Sequence, residues 1–216
     1  AFDGVEVYNG NLYLFGGSGP NGSSTKIEKY SPVDDSWSTV GNISNEVQGI
    51  ATAQLGGKIY IIGGRTVGGQ ELSDVEIFDP ETNEISSGPS MLIPIQQAAA
   101  TVFEGKIYLF GGHSSTNSNR TFVYDPTSET WSERAAMPSP RRSPQSVIYD
   151  SRIWVIGGST TYNHITVESY DPVNNSWRTE PSLNSARGWA AAWVMNDKIF
   201  VGGGRDGSDQ YMDSIE

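Results

Sequence analysis

The 216-residue sequence contains no cysteine, which excludes disulfide bridges, thiolate nucleophiles and cysteine-based zinc sites. It is also poor in cations, because 14 Lys and Arg stand against 25 Asp and Glu and give a formal net charge of −11. Nucleic acids and anionic membranes attract clustered Lys and Arg. The charge balance therefore argues against nucleic-acid and membrane partners.

Long hydrophobic runs and helical periodicity are missing as well. The longest apolar runs, such as Ile59 to Ile62, end in glycine and are far too short to cross a bilayer. The sequence is instead rich in turn-forming residues, with 25 Gly and 11 Pro between short Val, Ile, Tyr and Phe segments. This composition predicts an all-β chain of many short strands.

A Gly-Gly pair closes an apolar segment five times, in NLYLFGG, KIYIIGG, KIYLFGG, RIWVIGG and KIFVGGG. The first aligned glycines are Gly16, Gly63, Gly111, Gly157 and Gly203, so the intervals are 47, 48, 46 and 46 residues. This interval is typical of one four-stranded propeller blade. Before each segment, a two-residue hairpin turn is predicted at Asn9-Gly10, Gly56-Gly57, Glu104-Gly105, Asp150-Ser151 and Asn196-Asp197.

Aromatic residues keep the same rhythm after the first four Gly-Gly pairs. An aromatic residue precedes a turn, and a second large residue follows seven positions later. These pairs are Tyr30 and Trp37, Phe78 and Ile85, Tyr124 and Trp131, and Tyr170 and Trp177. We expect the Tyr and Trp side chains to fill the wedges between neighbouring sheets.

Double glycine, spaced Tyr and spaced Trp together resemble the kelch-repeat family over essentially the whole chain. The resemblance implies an all-β, kelch-type β-propeller, with four complete four-stranded blades and a fifth of three strands. As a single propeller over 1–216, its repeats are expected at 1–42, 43–91, 92–138, 139–184 and, incomplete, 185–216. We expect an excerpt of a larger propeller, with five closed blades as the alternative. Ile85 departs from the family's Trp and weakens the packing of one blade.

One face of such a scaffold is predicted to carry recognition, because variable loops on a rigid frame are the usual binding sites. In a meandering sheet, the loops after the Gly-Gly pairs and the loops entering the first strands emerge on the same face. The candidate binding residues there are Arg65, Arg141, Arg142, Arg187, Arg205, His113, Asn119 and His164. A guanidinium binds carboxylates bidentately. The alternative is that each Arg pairs with a local carboxylate such as Asp206 or Asp209.

The resemblance implies a non-catalytic scaffold that binds the acidic or polar motif of a protein or peptide. Family members of this kind include ubiquitin-ligase substrate receptors and cytoskeletal adaptors. No cofactor and no metal is expected, although His113 and His164 lie on post-glycine loops of adjacent repeats, where two metal ligands could converge.

A carbohydrate-active or carbohydrate-binding propeller is the alternative function. Sialic-acid epimerases of the kelch class rely on charged residues around the channel, which implies Arg142, Arg187 and Glu104 here. Sugar binding would also be favoured by an exposed Trp189 or Tyr162. Kelch-type galactose oxidases need a Cys-Tyr crosslink that this chain cannot form, and the iron-binding motif of nitrile-specifier proteins is not recognisable.

Overall fold

A computed structural model describes residues 4–19 and 22–216. The first three residues of the first repeat and residues 20–21 of its post-glycine loop, both included in the sequence predictions, lie outside the described residues. Within the described ranges all regular secondary structure is β, which confirms the predicted all-β chain. No helix in this part of the chain is long and apolar enough to span a membrane.

The first two repeats each form a four-stranded antiparallel sheet. The strands of the first repeat are β1 (Gly4–Tyr8), β2 (Asn11–Phe15), β3 (Ser18–Gly19), β4 (Gly22–Ser23), β5 (Lys26–Ser31) and β6 (Ser36–Asn42). Those of the second are β7 (Val47–Gln48), β8 (Ala51–Leu55), β9 (Lys58–Ile62), β10 (Arg65–Thr66), β11 (Val75–Asp79) and β12 (Glu84–Ser87). The sheet orders are β1-β2-β5-β6 and β12-β11-β9-β8, and the short strands pair as β3 with β4 and β10 with β7.

The remaining repeats follow the same plan. The strands of the third are β13 (Ala99–Phe103), β14 (Lys106–Phe110), β15 (His113–Ser114), β16 (Thr116–Asn117), β17 (Thr121–Asp125) and β18 (Thr130–Arg134). The strands of the last two are β19 (Gln145–Tyr149), β20 (Arg152–Ile156), β21 (Val167–Asp171), β22 (Ser176–Thr179), β23 (Ala191–Met195) and β24 (Lys198–Gly202). The sheets run β13-β14-β17-β18, β19-β20-β21-β22 and β23-β24, and a bridge from Gly202 to Ile215 stands where the third strand of the fifth repeat is expected.

All five predicted hairpin turns have positive φ at both residues, as in Asn9 (46°) and Gly10 (76°). Two-residue turns of this kind match the right-handed twist of the strands that they join. The turn therefore fixes the register, for example by pairing Tyr8 with Asn11, and the register decides which side chains face the core.

The Gly-Gly pairs leave room for close approach by the backbone of the loop that enters the next repeat. The N–H of Gly64 donates to the carbonyl of Ile95 at 2.8 Å, and the N–H of Gly158 donates to the carbonyl of Arg187 at 2.8 Å. A Cβ on Gly63 would lie 2.2 Å from the Ile95 oxygen, and the φ of Gly63 is 62°. Close approach and positive φ together explain why glycine recurs at this point in each repeat.

The described residues divide into two compact units. Unit 1 runs up to Gln96 and includes 125–131, and unit 2 comprises 97–124 and 132–216. The core of unit 1 contains Phe15 and Phe78, whose ring centroids are 5.8 Å apart. Ile85, which stands where the family has Trp, is half-buried and packs against this core.

Unit 2 has its own aromatic core. Phe110 contacts Tyr170 with ring centroids 6.0 Å apart and Trp177 with centroids 5.5 Å apart. Tyr170 is fully buried. The aromatic spacing of the sequence therefore predicts this core correctly.

The prediction for the three spaced tryptophans is right for two of them and wrong for Trp37. Trp131 is buried, with Nε1 donating to the carbonyl of Pro89 at 2.9 Å. Trp177 is half-buried, with Nε1 donating to the carbonyl of Ala135 at 2.8 Å. Both acceptors lie 42 residues earlier in the chain. Trp37 is 52% exposed.

Candidate functional site

Arg141, a predicted binding residue, is buried inside unit 2 with 0% of its side chain exposed. Its guanidinium forms an ion pair with Glu168. Nη1 also donates to the carbonyl oxygens of Gly157 at 3.2 Å and Thr166 at 3.0 Å. Burial lowers the pKa of the Arg141 guanidinium, and the charge of Glu168 opposes that effect. The prediction of a surface arginine is corrected here, because this side chain joins a loop to the sheet of repeat 4.

Arg187 repeats the arrangement in the next repeat. It is 2% exposed, and Nε is 2.7 Å from a carboxylate oxygen of Glu216. Nη1 donates to the carbonyl oxygens of Gly203 at 2.9 Å and Ser214 at 3.2 Å. Arg187 is therefore also an interior residue, which removes it from the predicted binding surface.

Arg141 and Arg187 occupy the same point of their repeats, which we call the entrance position. Ile95 is the equivalent residue in repeat 3, because its carbonyl accepts the Gly64 N–H as the Arg187 carbonyl accepts the Gly158 N–H. Val47 is the equivalent residue in repeat 2, because its carbonyl oxygen lies beside Gly16 as that of Ile95 lies beside Gly63. All four side chains are buried. Alignment with Val and Ile is the sequence signal that distinguishes these two arginines from surface arginines.

Arg142 follows the entrance position and stays partly accessible. Its N–H donates to the carbonyl of Ser159 at 2.9 Å, and its carbonyl accepts the Ser159 N–H at 2.8 Å. Its Nε is shut off from solvent and has no acceptor among the described residues. Because this nitrogen is closed to solvent, it is not itself a contact point for a ligand, and only the accessible part of the side chain can meet one.

Arg205 makes the equivalent backbone contact in repeat 5. Its carbonyl accepts the Gly188 N–H at 3.0 Å, and its N–H donates to the Gly188 carbonyl at 2.9 Å. The guanidinium donates to Asp209 and to the Tyr211 hydroxyl, each at 2.8 Å, and lies 4.6 Å from the centroid of the Tyr211 ring. The expected alternative of a local carboxylate is therefore observed at Asp209. This ion pair is largely exposed and contributes little to stability, so an incoming carboxylate can compete for Arg205.

Asn163 ties the loop of repeat 4 to the loop of repeat 5. Its Nδ2 donates to the carbonyl oxygens of Arg205 at 3.0 Å and of Asp206. The side chain also packs against Gly188, where a Cβ would lie 2.4 Å from its Oδ1. Sequence reasoning missed this residue, because it lies in a variable loop and its counterpart Asn117 recurs at the same point of repeat 3 alone.

His164 also packs within its loop, with Nε2 2.8 Å from Thr160 Oγ1. Burial, followed by the positive charge of Arg141, lowers the pKa of His164 below its ordinary value. The imidazole is therefore neutral at pH 7.

Trp189 combines backbone strain with exposure. Its φ of 53° lies in the left-handed region, where Gly49 stands at the same point of repeat 2 with a φ of 67°. A bulky residue seldom adopts this conformation, although Gln97 and Ser143 adopt it at the same point of repeats 3 and 4 with φ of 55° and 50°. The side chain is 43% exposed, and the nearby loops expose Tyr162 and Tyr211. We call the set Arg142, Tyr162, Trp189, Arg205 and Tyr211 the repeat 4–5 loop surface.

The other predicted binding residues lie elsewhere. Arg65 belongs to unit 1, where its exposed side chain donates from Nε to the carbonyl of Gly69 at 3.1 Å. His113 lies in β15, which pairs with β16. Asn119 donates from Nδ2 to the carbonyl of Met137 at 3.0 Å and thus braces its own repeat.

The charged residues of the epimerase alternative have different surroundings. Arg187 is buried, whereas Glu104 is exposed in the turn between β13 and β14 with a φ of 47°. Within residues 4–19 and 22–216, no group of three or more His, Cys, Asp or Glu side chains could hold a metal ion.

Comparison with known proteins identifies related sequences. The family described as "KLHDC2/KLHL20/DRC7 Kelch-repeats domain" matches residues 4–204. The F-box/kelch-repeat protein At1g67480 of Arabidopsis thaliana is 31% identical and covers 51% of this chain and 31% of its own length. Alpha-scruin of Limulus polyphemus is 34% identical, covering 52% and 13%. Kelch-like protein 35 of Mus musculus is 29% identical, covering 52% and 20%. The matched segment spans less than a third of each of these relatives.

A solved structure shows the same fold. The structure of YjhT aligns with a TM-score of 0.87 and 17% identity, covering 98% of this chain and 79% of that one. Together with the repeated four-stranded sheets and the family match, this likeness confirms the predicted kelch-type β-propeller fold.

Proposed function

The chain belongs to the kelch-repeat family, and on that premise we propose that it is a non-catalytic scaffold that binds a partner protein or peptide through the repeat 4–5 loop surface. One observation carries this proposal. Three exposed aromatic rings and two guanidinium groups are held on backbone segments that Ser159, Asn163 and Gly188 link by hydrogen bonds. Trp, Tyr and Arg dominate binding hot spots, and a pre-ordered support lowers the entropy cost of association.

The ligand that fits this surface best is an acidic or polar segment. Arg142 is a partly accessible cation, and Arg205 is held by an exposed pair that a ligand carboxylate can replace. A guanidinium binds a carboxylate through two parallel hydrogen bonds. Trp189 and Tyr162 would contact the apolar parts of the same segment.

An adaptor role agrees with the names of two relatives. The Arabidopsis protein is named for an F-box together with kelch repeats, and another relative is named Kelch-like protein 35. These names support a role as the partner-selecting part of an adaptor, such as a ubiquitin-ligase substrate receptor or a cytoskeletal adaptor. Arg65 and His113 stay candidates for additional contacts in their own loops.

Quantitative capture of partners by the natural protein tests this proposal. We expect Arg142→Gln and Trp189→Gly each to lower the amount of specific partner recovered by at least about tenfold, since hot-spot residues contribute about 2 kcal/mol or more. Lys198→Gln, which removes one exposed charge at the hairpin between β23 and β24, is the matched control. Equal recovery with all three variants would remove the repeat 4–5 loop surface as the binding site.

A carbohydrate ligand is the second candidate, because the exposed Trp189 and Tyr162 could stack on a sugar ring. A glycan array with the wild-type protein, together with a sialic-acid mutarotation assay, tests this candidate. Binding or activity that Trp189→Gly abolishes would favour it over the protein scaffold. No response in either assay would eliminate it.

A further inference from the structure

Unit 2 shows how this repeat holds a guanidinium group. Arg141 and Arg187 have three kinds of partner in common within their repeats. The first is the carbonyl of the first glycine of the Gly-Gly pair, and the second is the carbonyl that accepts the N–H of that glycine. The third is the carboxylate two residues further along the chain. The recurrence of this set in two repeats indicates a guanidinium site that belongs to the repeat itself.

The same three groups are present in repeat 2 of unit 1, where the entrance residue is Val47. They are the carbonyl of Gly63, the carbonyl of Asp74, which accepts the Gly63 N–H at 2.9 Å, and the carboxylate of Glu76. Valine is too short to reach them and carries no donor. These four residues instead line a cavity of about 220 Å³. A water needs only about 15 Å³, so the cavity can hold a side-chain head group.

The charge of Glu76 is not neutralised as it is in unit 2. Its Oε1 accepts a hydrogen bond from the Ser44 N–H at 3.1 Å and another from the Ser44 hydroxyl. Glu168, its counterpart, pairs with Arg141, whereas no Lys or Arg among the described residues forms an ion pair with Glu76. The exposed carboxylate of Asp74 lies on the same cavity wall. Both charges favour a cation in this cavity.

The cavity is accessible from outside the protein. Ser87 and Ser90 line it and are exposed, as is Asp74. A side chain of another protein can therefore enter this cavity. Its guanidinium would take the place that the guanidinium of Arg141 or Arg187 takes in repeats 4 and 5.

We infer that the cavity lined by Val47, Gly63, Asp74 and Glu76 binds the guanidinium group of an arginine side chain supplied by a partner protein. Two carbonyl oxygens and a carboxylate suit the planar fork of guanidinium donors better than a single ammonium group. The net charge of −11 also favours a partner with a basic segment. This site lies in unit 1 and shares no residue with the repeat 4–5 loop surface.

A peptide titration followed by NMR tests the inference. The probe is acetyl-Gly-Arg-Gly-amide, and the comparison peptides carry citrulline or lysine in place of arginine. We expect the arginine peptide to shift the amide signals of Ser44 and Gly88, and the citrulline peptide to bind at least about tenfold more weakly, because it lacks the charge.

Variants assign the binding to the cavity. Glu76→Gln should weaken binding of the arginine peptide by at least about tenfold, whereas Glu84→Gln, which removes an exposed carboxylate of β12 outside the cavity, should not. Val47→Arg should block the peptide by filling the cavity from within. If Val47→Arg fails to fold, the comparison of Glu76→Gln with Glu84→Gln still shows whether the peptide binds in the cavity.

Four results would overturn the inference. They are the absence of shifts with the arginine peptide, equal binding of the citrulline peptide, equal effects of Glu76→Gln and Glu84→Gln, and equal affinity for free L-arginine, which would contradict a protein-borne ligand. Arg142→Gln should leave the titration unchanged. A loss of loop-surface binding is thereby distinguished from a loss of binding at this cavity.

Discussion

Units 1 and 2 fill the entrance position of their repeats with different chemistry. Unit 1 uses the apolar Val47 and Ile95, whereas unit 2 uses Arg141 and Arg187, each paired with a glutamate. The strand order and the carbonyl contact with the Gly-Gly pair are the same in repeats of both units. The fold therefore accepts an apolar side chain at this position and does not need an ion pair there, in agreement with the small net stabilisation that buried ion pairs give.

The largest expected loss of stability comes from removing the buried arginine of the entrance position. Arg141→Met should lower the free energy of unfolding by about 3–5 kcal/mol, because it leaves the buried carboxylate of Glu168 without a partner. Ile95→Met introduces the same residue at the entrance position of unit 1 and should cost less than about 1.5 kcal/mol. Urea unfolding followed by tryptophan fluorescence measures both losses. Equal losses would show that the two versions do not differ as described.

A second substitution separates charge from volume at the same place. Adding Glu168→Leu to Arg141→Met should recover at least half of the lost stability, since an apolar pair replaces an ion pair with little net cost. A double variant less stable than Arg141→Met would contradict this explanation.

Arg187→Met should have a smaller effect than Arg141→Met, of about 2–3 kcal/mol. Glu216, the partner of Arg187, is 15% exposed, whereas Glu168 is 1% exposed. Water can therefore hydrate the carboxylate that Arg187→Met leaves behind. The same unfolding experiment ranks the two variants, and a larger loss for Arg187→Met would show that burial does not set the cost.

Acidification should lower the stability of unit 2 through protonation of His164. The backbone N–H of His164 donates to the Gly158 carbonyl at 2.9 Å. The backbone N–H of Leu72 makes the same contact with the Gly64 carbonyl in unit 1, so Leu72 is the counterpart of His164. Burial, followed by the charge of Arg141, lowers the pKa of His164 in the folded state. The unfolded chain therefore takes up this proton first as the pH falls below about 6.5.

The stability that His164 provides is thus complete above about pH 6.5 and is lost as the pH falls toward the folded-state pKa. Unfolding at pH 7 and pH 5.5 measures the loss, which we expect to be smaller than that of Arg187→Met. His164→Leu, which copies the residue of unit 1, should reduce the difference between the two pH values. An unchanged difference in that variant would assign the pH dependence to other groups.

The smallest expected stability effect concerns Trp189, which stands where repeat 2 has Gly49. Trp189→Gly relieves about 1 kcal/mol of left-handed strain, and this gain offsets part of the packing energy that the half-exposed indole contributes. The free energy of unfolding should change by less than about 1 kcal/mol. A decrease of more than about 2 kcal/mol would show that the indole is a packing residue.

The sequence predicts the repeat register well, because turns and close backbone approaches require particular residues. Asn9-Gly10 and the four other turns adopt the positive φ that their residues tolerate. Gly63 is explained by the Ile95 carbonyl that a side chain would displace. The aromatic core of unit 2 around Tyr170 follows from the same spacing.

The site is less predictable, because topology places a loop without fixing the direction of its side chains. Arg142 and Arg187 both lie in loops that enter the first strand of a repeat, and both are predicted to face a ligand. Arg142 is partly accessible, whereas Arg187 is buried. Comparison with Val47 and Ile95 would have separated them. Asn163 links two loops through carbonyl contacts in a variable segment. Its counterpart Asn117 in repeat 3 is a single recurrence, which is too weak a period to reveal the role.

The central claim is that the entrance position of repeat 2 retains the guanidinium site that repeats 4 and 5 fill with their own arginines. A double-mutant cycle of Val47→Arg and Glu76→Gln, measured by urea unfolding, tests it most directly. We predict that Val47→Arg is more stable with Glu76 intact than in the Glu76→Gln background, with a coupling free energy of at least about 1 kcal/mol. Additive effects, with a coupling below about 0.3 kcal/mol, would contradict the claim.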